Sequence, residues 1–543
     1  MKRNIWLLIG VLLALMMALV GGAAAEPVAP VGSESEPNDT QATADAVALG
    51  QTSAAISPVG DVDYFKLSLN AGQKVYLAAL ADCGEWDLET TLAVYDAAGN
   101  LLAQAEEWPD DNIIFGFVPP ASADYFVRVM SDGYPYSPEE LTGNYTLWAV
   151  LVPADEPNES VAPVEWGDAF TSTIFAPYDL DYYRIHARPG DVIAATMTVD
   201  AVRYYGSSLY INNIDDIYPY FALNTIYAPG TARITFVVPF ESDYVIRPVP
   251  TFDQCDGLPF PFSYDLTVER LALHVGAAAA GNVNGVSFGT NDIMARDDAG
   301  QWRKVFDGED VGLTTAIQGF EWTSDGALLL ALMGNQTLNG PGLVKPQDIV
   351  KFTPTQLGDN TQGTFSFYLR GTQAGLTTVG EKIDAIALLG DGGLLISTTG
   401  SATVPQLGGG SLGARDEDLL LYHPDGPMPS TGTWTINMDG SRYLSKFGSL
   451  DLRVATIAAD YPDPDYEPFY HHTWLWFAND KPYKYEGFTA NGYKRYTAAP
   501  GDLIFMNYYE ATYHGPQGDP EWAPLTRQTL GFPKRITNVS IGE

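Results

Sequence analysis

Four oxygen-bearing side chains fall within six residues near the start of this chain: Glu34, Glu36, Asn38 and Asp39. A hard cation such as calcium takes about six to eight oxygens at ~2.3–2.6 Å, from carboxylates, amide carbonyls and backbone. In an extended segment Glu34, Glu36 and Asn38 project to one side, toward one ion. The same residues also suit a solvated acidic lead-in with Asn38 or Asp39 capping a turn. Both readings stay open on these residues alone.

Other constellations carry less. Gly409-Gly410-Ser411-Leu412-Gly413 satisfies the G-x-S-x-G spacing. A nucleophile elbow, however, needs a strand before the serine and a helix after it. Here the flanks are a glycine loop, so a chance match is expected. His471-His472 stand near Asp463, Asp465 and Glu467, but adjacent side chains diverge on a strand, which disfavours one shared metal. Asn291-Asp292, Gln347-Asp348 and Asp416-Glu417-Asp418 recur at one place in a repeat, and a structural role at the start of a strand is expected of them. The aromatic group Trp474, Trp476, Phe477, Tyr483 and Tyr485 has the composition of a glycan platform, yet reads as core. No phosphate loop, CxxC pair or basic aromatic stripe is present. Nothing here predicts catalysis.

The elements that must position these residues are strands. Gly, Pro, Asn and Asp punctuate many short alternating segments, and stretches with helical apolar spacing are almost absent. The 29 Lys+Arg against 67 Asp+Glu leave a net charge of −38, a field that repels nucleic acid and anionic membranes. With charged residues only 18% and apolar residues 46% of the chain, it reads as folded rather than disordered. Lys2-Arg3, an apolar run over Ile5–Val20 and Ala23-Ala24-Ala25 follow the order of a secretory signal peptide over 1–25, cut before Glu26. The run is shorter than the ~20 residues a spanning helix needs, so no transmembrane segment is expected after cleavage. Cys83 and Cys255 are the candidates for a disulfide in such a compartment, and spacing leaves their pairing open.

One repeat is legible in the first half. Glu36-Pro37-Asn38-Asp39 recurs as Glu156-Pro157-Asn158-Glu159, and Asp61-Val62-Asp63-Tyr64-Phe65 as Asp179-Leu180-Asp181-Tyr182-Tyr183. Ala123-Asp124-Tyr125 answers Ser242-Asp243-Tyr244, and Asn144-Tyr145-Thr146-Leu147 answers Ser263-Tyr264-Asp265-Leu266. After a lead-in over 26–33, the copies span 34–152 and 153–273, each patterned as a small β-sandwich. These motifs resemble the bacterial pre-peptidase C-terminal domain, which is similar to the collagen-binding domains of clostridial collagenases. The match is close over the first copy and looser over the second, and covers less than half the chain. The resemblance implies a jelly-roll-like secreted accessory module, often calcium-binding, without catalysis. It also implies that Asp61 and Asp63 complete the shell begun by Glu34, Glu36, Asn38 and Asp39. In the second copy Glu156, Asn158, Glu159, Asp179 and Asp181 remain, while Ala154 stands where Glu34 would be, so that site is expected to lack a ligand.

Residues 274–285 are rich in Ala, Gly and Asn and read as a linker. Beyond them Asn291-Asp292-Ile293-Met294, Gln347-Asp348-Ile349-Val350 and Glu417-Asp418-Leu419-Leu420 open similar units. Two of these units follow a strand, Asp-Gly turn and strand, around Asp325-Gly326 and Asp391-Gly392. Such β-units resemble propeller blades. The expected fold is all-β: two tandem jelly-roll-like β-sandwiches, then a β-propeller-like repeat domain over 286–543 with three recognisable blades and a divergent fourth. Further sandwiches built from duplicated hairpins are the alternative. After Lys446 the repeat is no longer visible in the sequence. The two sets are expected to fold apart. The function expected is that of a secreted or cell-surface, non-catalytic protein binding an extracellular polysaccharide or protein. An extracellular hydrolase with its site on the repeat domain is the rival, and would bring Asp292, Asp348, Asp418 and His471 together. The oligomeric state is not legible.

Overall fold

The structure is a computed structural model. It describes residues 32–81, 88, 90–105, 113–131, 142–152, 162–175, 181–199, 207–213, 222–226, 230–250, 262–389, 392–440, 452–462, 471–479, 483–489, 492–500, 502–509 and 525–542. Cys83, Cys255 and the expected signal peptide lie outside them. The fold is all-β, and among the described residues there are two short helical turns, Gly371–Ala374 and Val379–Glu381.

The first module packs two five-stranded sheets face to face. Val62–Leu69 shows why: its residues alternate between buried and partly exposed, so Asp63, Phe65, Leu67 and Leu69 point inward. Phe65, Leu67 and Leu69 meet Val75, Leu77 and Ala79 from the opposite sheet in one apolar core. The second module repeats the strand order. Its Tyr183–Ala187 lies between Ala162–Pro163 and Ser242–Pro250, as Val62–Leu69 lies between Asp45–Ala46 and Ala123–Ser131. A tyrosine marks the same corner in each copy. Tyr125 donates to the Ala121 carbonyl at 2.7 Å and Tyr244 to the Phe240 carbonyl at 2.8 Å.

The linker expected over 274–285 is not found. Phe262–Ala277 is one unbroken strand that belongs to two regions. Its first part pairs with Asp168–Ile174 and Val192–Val199 of the second sandwich. Its last residues pair with Ile293–Arg296 and with Ile536–Gly542 near the end of the chain. The small residues there, Gly276 and Ala277, fill strand positions between close neighbours instead of marking a break, and Gly281–Val283 and Val286–Phe288 form a hairpin. The apolar cluster is continuous across this boundary, running from Ile193 and Phe236 to Trp302, Phe532 and Val539. Asp191 of the second sandwich pairs with Arg270 at 3.1 Å and with Arg296 at 3.5 Å, tying the same junction.

Beyond it, sheets of one design follow each other. Ile317–Trp322, Leu328–Leu332, Ile349–Gln356 and Gln362–Leu369 make one, and Ile383–Leu388, Leu394–Thr398, Leu419–Pro424 and Gly432–Met438 the next. Each inserts a small hairpin between its second and third strands: Gln336–Leu338 with Gly342–Val344, and Ala402–Pro405 with Ser411–Ala414. The region after Lys446, where the sequence repeat is lost, has the same design. Leu452–Pro462, His471–Asn479 and Leu503–Tyr509 form a sheet with the hairpin Tyr483–Thr489 and Gly492–Ala498 inserted at that position. The final strand, Ile536–Gly542, stands first in the sheet that continues through Phe262–Ala277, Ile293–Arg296 and Trp302–Phe306. The four leading strands contact one another in a cycle, 317–322 with 383–388, then 452–462, then 536–542, and back to 317–322. Neighbouring sheets bury their faces together, as Phe306 does with Phe320 and Phe352, and Ala331 with Ile386 and Trp434.

Candidate metal centre

The lead-in of the first module lies against the turn before Val62–Leu69, held by the Tyr64 amide donating to the Asn38 carbonyl at 3.1 Å. This contact gathers the acidic residues. Carboxylate oxygens of Glu34, Glu36 and Asp63 lie within 4.8 Å of one another, and so do those of Glu36, Asp39 and Asp61. All five predicted carboxylates of this copy share one cluster, with Asn38 fully buried beside them.

Part of Glu34, Glu36, Asp61 and Asp63 is already committed. Glu34 Oε1 accepts from the Ala55 amide at 2.6 Å, and Glu36 Oε2 from the Asn38 amide at 3.0 Å. Asp61 accepts from the Ser57 and Val62 amides at 2.7 and 3.0 Å. Asp63 Oδ2 accepts from the Tyr145 hydroxyl at 2.6 Å. What remains is informative: Glu34 Oε2, Asn38 Oδ1 and Asp63 Oδ1 are buried and have no hydrogen-bond partner. An orphaned buried acceptor is costly, and these three are all hard oxygens. The donor set fits a hard cation.

Electrostatics point the same way. Burial, reinforced by Glu36 and Asp61, pushes Glu34 up to about 7 against the opposing Ala55 hydrogen bond. Burial likewise drives Asp63 up to about 8, with Glu34, Asp61 and Glu36 adding to the rise and the Tyr145 hydrogen bond opposing it. Glu36 is raised too, by desolvation and by Asp61 and Asp39. Without a counter-cation the cluster holds protons that ordinary surface carboxylates release.

In the second copy Glu156, Asn158, Glu159 and Asp179 lie outside the described residues. Asp181 is buried at the position of Asp63, and the Tyr264 hydroxyl donates to it as Tyr145 does to Asp63. Tyr183 stands where Phe65 stands in the first copy, its hydroxyl 2.6 Å from that of Tyr264.

The recurring aspartates of the ring do not converge. Asp292 accepts from the Gly289 and Gly308 amides at 2.7 and 3.1 Å, and Asp348 from those of Lys345 and Gly371, both at 2.8 Å. Asp418 accepts from Arg415 and Gly440 amides at 2.8 and 2.9 Å. Each aspartate thus ties the turn before its own strand to the end of the following strand. In these three sheets the far end has no room for a side chain, because a Cβ on Gly308, Gly371 or Gly440 would sit 2.2, 2.6 or 2.0 Å from a backbone oxygen. Asp502, unmarked in the sequence reading, does the same in the last sheet, accepting from the Ala499 and Arg527 amides at 2.9 and 3.2 Å. The signal was Asp502-Leu503-Ile504, which matches Asp418-Leu419-Leu420. Ser411 is exposed and opens the hairpin strand Ser411–Ala414, with no helix after it, so the elbow geometry is absent. The side chains of His471, His472 and the Trp474–Tyr485 aromatics lie outside the described residues, although their strands are placed.

No family model matches the chain, and no curated protein matches it. Among solved structures it is similar to the pre-peptidase C-terminal domain of collagenase from Bacillus anthracis, at 12% identity and a TM-score of 0.17, over 21% of this chain and 99% of that one. A likeness that slight leaves the weight on the residues described above. What the described residues themselves establish is a pair of β-sandwiches in the first half of the chain.

Proposed function

We propose that this chain is an exported, non-catalytic binding protein, with its first sandwich stabilised by calcium and its ring of sheets acting as a propeller-like domain that holds an extracellular polysaccharide or protein. The observation that carries the calcium reading is the set of three buried, unpartnered oxygens, Glu34 Oε2, Asn38 Oδ1 and Asp63 Oδ1, inside a cluster of five carboxylates. Glu36, Asp39 and Asp61 supply the outer ligands, and an ion there neutralises charge that otherwise forces protonation. The second copy would hold its ion through Glu156, Asn158, Glu159, Asp179 and Asp181, with one ligand fewer. Export rests on the basic, apolar and small-residue order of residues 1–25. No helix among the described residues is long and apolar enough to cross a membrane. The rival hydrolase reading needs Asp292, Asp348, Asp418 and His471 together; the three aspartates each hold backbone amides at their own turns, and Asp292 also pairs with Lys304 at 3.0 Å, which favours the binding reading.

The test is thermal unfolding of the chain from Glu26 onward in calcium and in chelator. A ligand that binds only the folded state adds ~2.7 kcal/mol at a hundredfold excess over Kd. Calcium should raise the first melting transition, and Asp39→Ala with Asp63→Ala should erase the rise. Equal melting with and without calcium would sink the reading. Retention on polysaccharide or fibrous-protein matrices, measured in calcium, tests the partner.

A further inference from the structure

A cavity of about 600 Å³ lies where the edge strand Gly230–Val237 of the second sandwich meets the ring. Cavities of this size at domain junctions are the usual seats of small ligands. Arg233 reaches it from that edge strand, His274 from the shared strand, Arg303 from Trp302–Phe306, and Glu321 with Trp322 from the end of Ile317–Trp322. Leu271, Leu388 and Ile541 supply apolar wall.

Two features point to an occupant. The first is unspent hydrogen-bonding capacity. His274 is only 2% exposed, and its Nδ1 is buried with no partner. Trp322 Nε1 is buried and unpartnered as well, and the two rings stand 5.4 Å apart between centroids. A buried indole N–H ordinarily finds an acceptor. The second is charge. Glu321 accepts from the Ser540 hydroxyl and the Trp322 amide, and burial still pushes it up to about 8, so it is largely neutral at neutral pH. His274 is pushed down to about 3 by burial and by the charge of Arg303, so it is neutral too. Arg303 is exposed, and Arg233 is shared with Glu269 at 3.6 Å. The fixed charge facing this cavity is therefore positive, in a chain whose net charge is −38.

We infer that the cavity binds a small molecule bearing one carboxylate on a compact, partly apolar body, its carboxylate taken by Arg303, Trp322 Nε1 and His274 Nδ1. A guanidinium, the indole N–H and an imidazole in its Nδ1–H tautomer complement a carboxylate's acceptor oxygens, and the apolar wall accommodates the body. None of these residues belongs to the calcium cluster, so either reading can fail while the other stands.

The experiment is titration calorimetry on the chain from Glu26 onward with glucuronate and hexanoate, each beside its uncharged counterpart, glucose and hexanol. At least one carboxylate should bind about tenfold or more tightly than its counterpart. Arg303→Gln should weaken it by about tenfold or more, and Trp322→Phe, which keeps an aromatic ring but deletes the N–H, by about threefold or more. Unchanged melting of both variants would show that the fold is intact. Binding of glucuronate alone assigns the ligand to uronic acids, free or at the end of an acidic polysaccharide, and binding of hexanoate alone to aliphatic acids. The inference is overturned if the neutral counterparts bind equally well, if Arg303→Gln leaves carboxylate affinity unchanged, or if no probe binds.

Discussion

The chain uses acidic residues in two ways, and the contrast separates a site from a scaffold. In the ring, Asp292, Asp348, Asp418 and Asp502 recur at one structural position, and each accepts from two backbone amides, Asp292 pairing also with Lys304 and Asp502 with Arg527. In the first sandwich, Glu34, Glu36, Asp39, Asp61 and Asp63 come from segments distant in sequence and crowd together, leaving buried oxygens unspent. Recurrence in the ring reflects a need of the backbone, because every sheet must tie the same turn to the same strand end. Convergence with unsatisfied lone pairs is the observation on which the proposed calcium site rests. Counting acidic residues would not separate the two. Tracing where each lone pair goes does.

Four measurements would sharpen or break this contrast. The largest effect is expected from the scaffold. Asp348→Ala removes two charge-assisted bonds and strands the Lys345 and Gly371 amides, so it should cost about 3 kcal/mol or more in denaturant unfolding, equally in calcium and in chelator. Were the loss to depend on calcium, Asp348 would belong with the ligands. Next comes Asp39→Ala with Asp63→Ala, which should remove the calcium-dependent part of stability, ~2.7 kcal/mol at a hundredfold excess over Kd. In chelator the same pair should cost less than it does in calcium, since only the Tyr145 hydrogen bond to Asp63 is then lost.

The third effect is the pH dependence. Glu34 and Asp63 stand at about 7 and about 8 in the metal-free fold, above the ordinary carboxylate range of the unfolded chain. The folded state then binds more protons than the unfolded state between about pH 4 and 8, so stability falls as pH rises through that window. Melting in chelator should therefore decline from about pH 5 toward pH 8. Calcium, which binds the ionised carboxylates, should flatten or reverse the slope and release protons at neutral pH. Calorimetry in buffers of different ionisation enthalpy would detect that release, and no release would count against ligation by these groups. Smallest of all, Ser411→Ala should shift stability by no more than about 0.5 kcal/mol, and a fluorophosphonate probe should leave Ser411 unlabelled.

Much of the molecule was legible from its residues. The alternation in Val62–Leu69, the paired Asp-x-Asp-Tyr segments and the Asp-Gly hairpin at Asp325-Gly326 announced strands, a duplicated sandwich and repeated sheets, and the strands appear where those patterns lie. The acidic lead-in was legible as a run of oxygen-bearing side chains because its residue types and period-two spacing are local, and the structure gathers its carboxylates with Asp61 and Asp63. The fourth sheet was not, because the features that mark the others are partly absent from it. Arg527 stands where Gly308, Gly371 and Gly440 stand elsewhere, and only the short Asp502-Leu503-Ile504 survives. The cavity around His274, Glu321 and Trp322 was invisible too, since its walls come from strands far apart in the chain.

What the sequence determined by itself is the kind of element and its inward face, because side-chain alternation on a strand is a property of consecutive residues. What only the tertiary structure decided is who pairs with whom. Residues 274–277 read as a break because Ala and Gly carry little strand preference of their own. They are a strand because Ile293–Arg296 on one side and Ile536–Gly542 on the other offer backbone partners that no local pattern announces. Those partners make the junction between sandwich and ring a shared strand, and with it create the cavity beside His274.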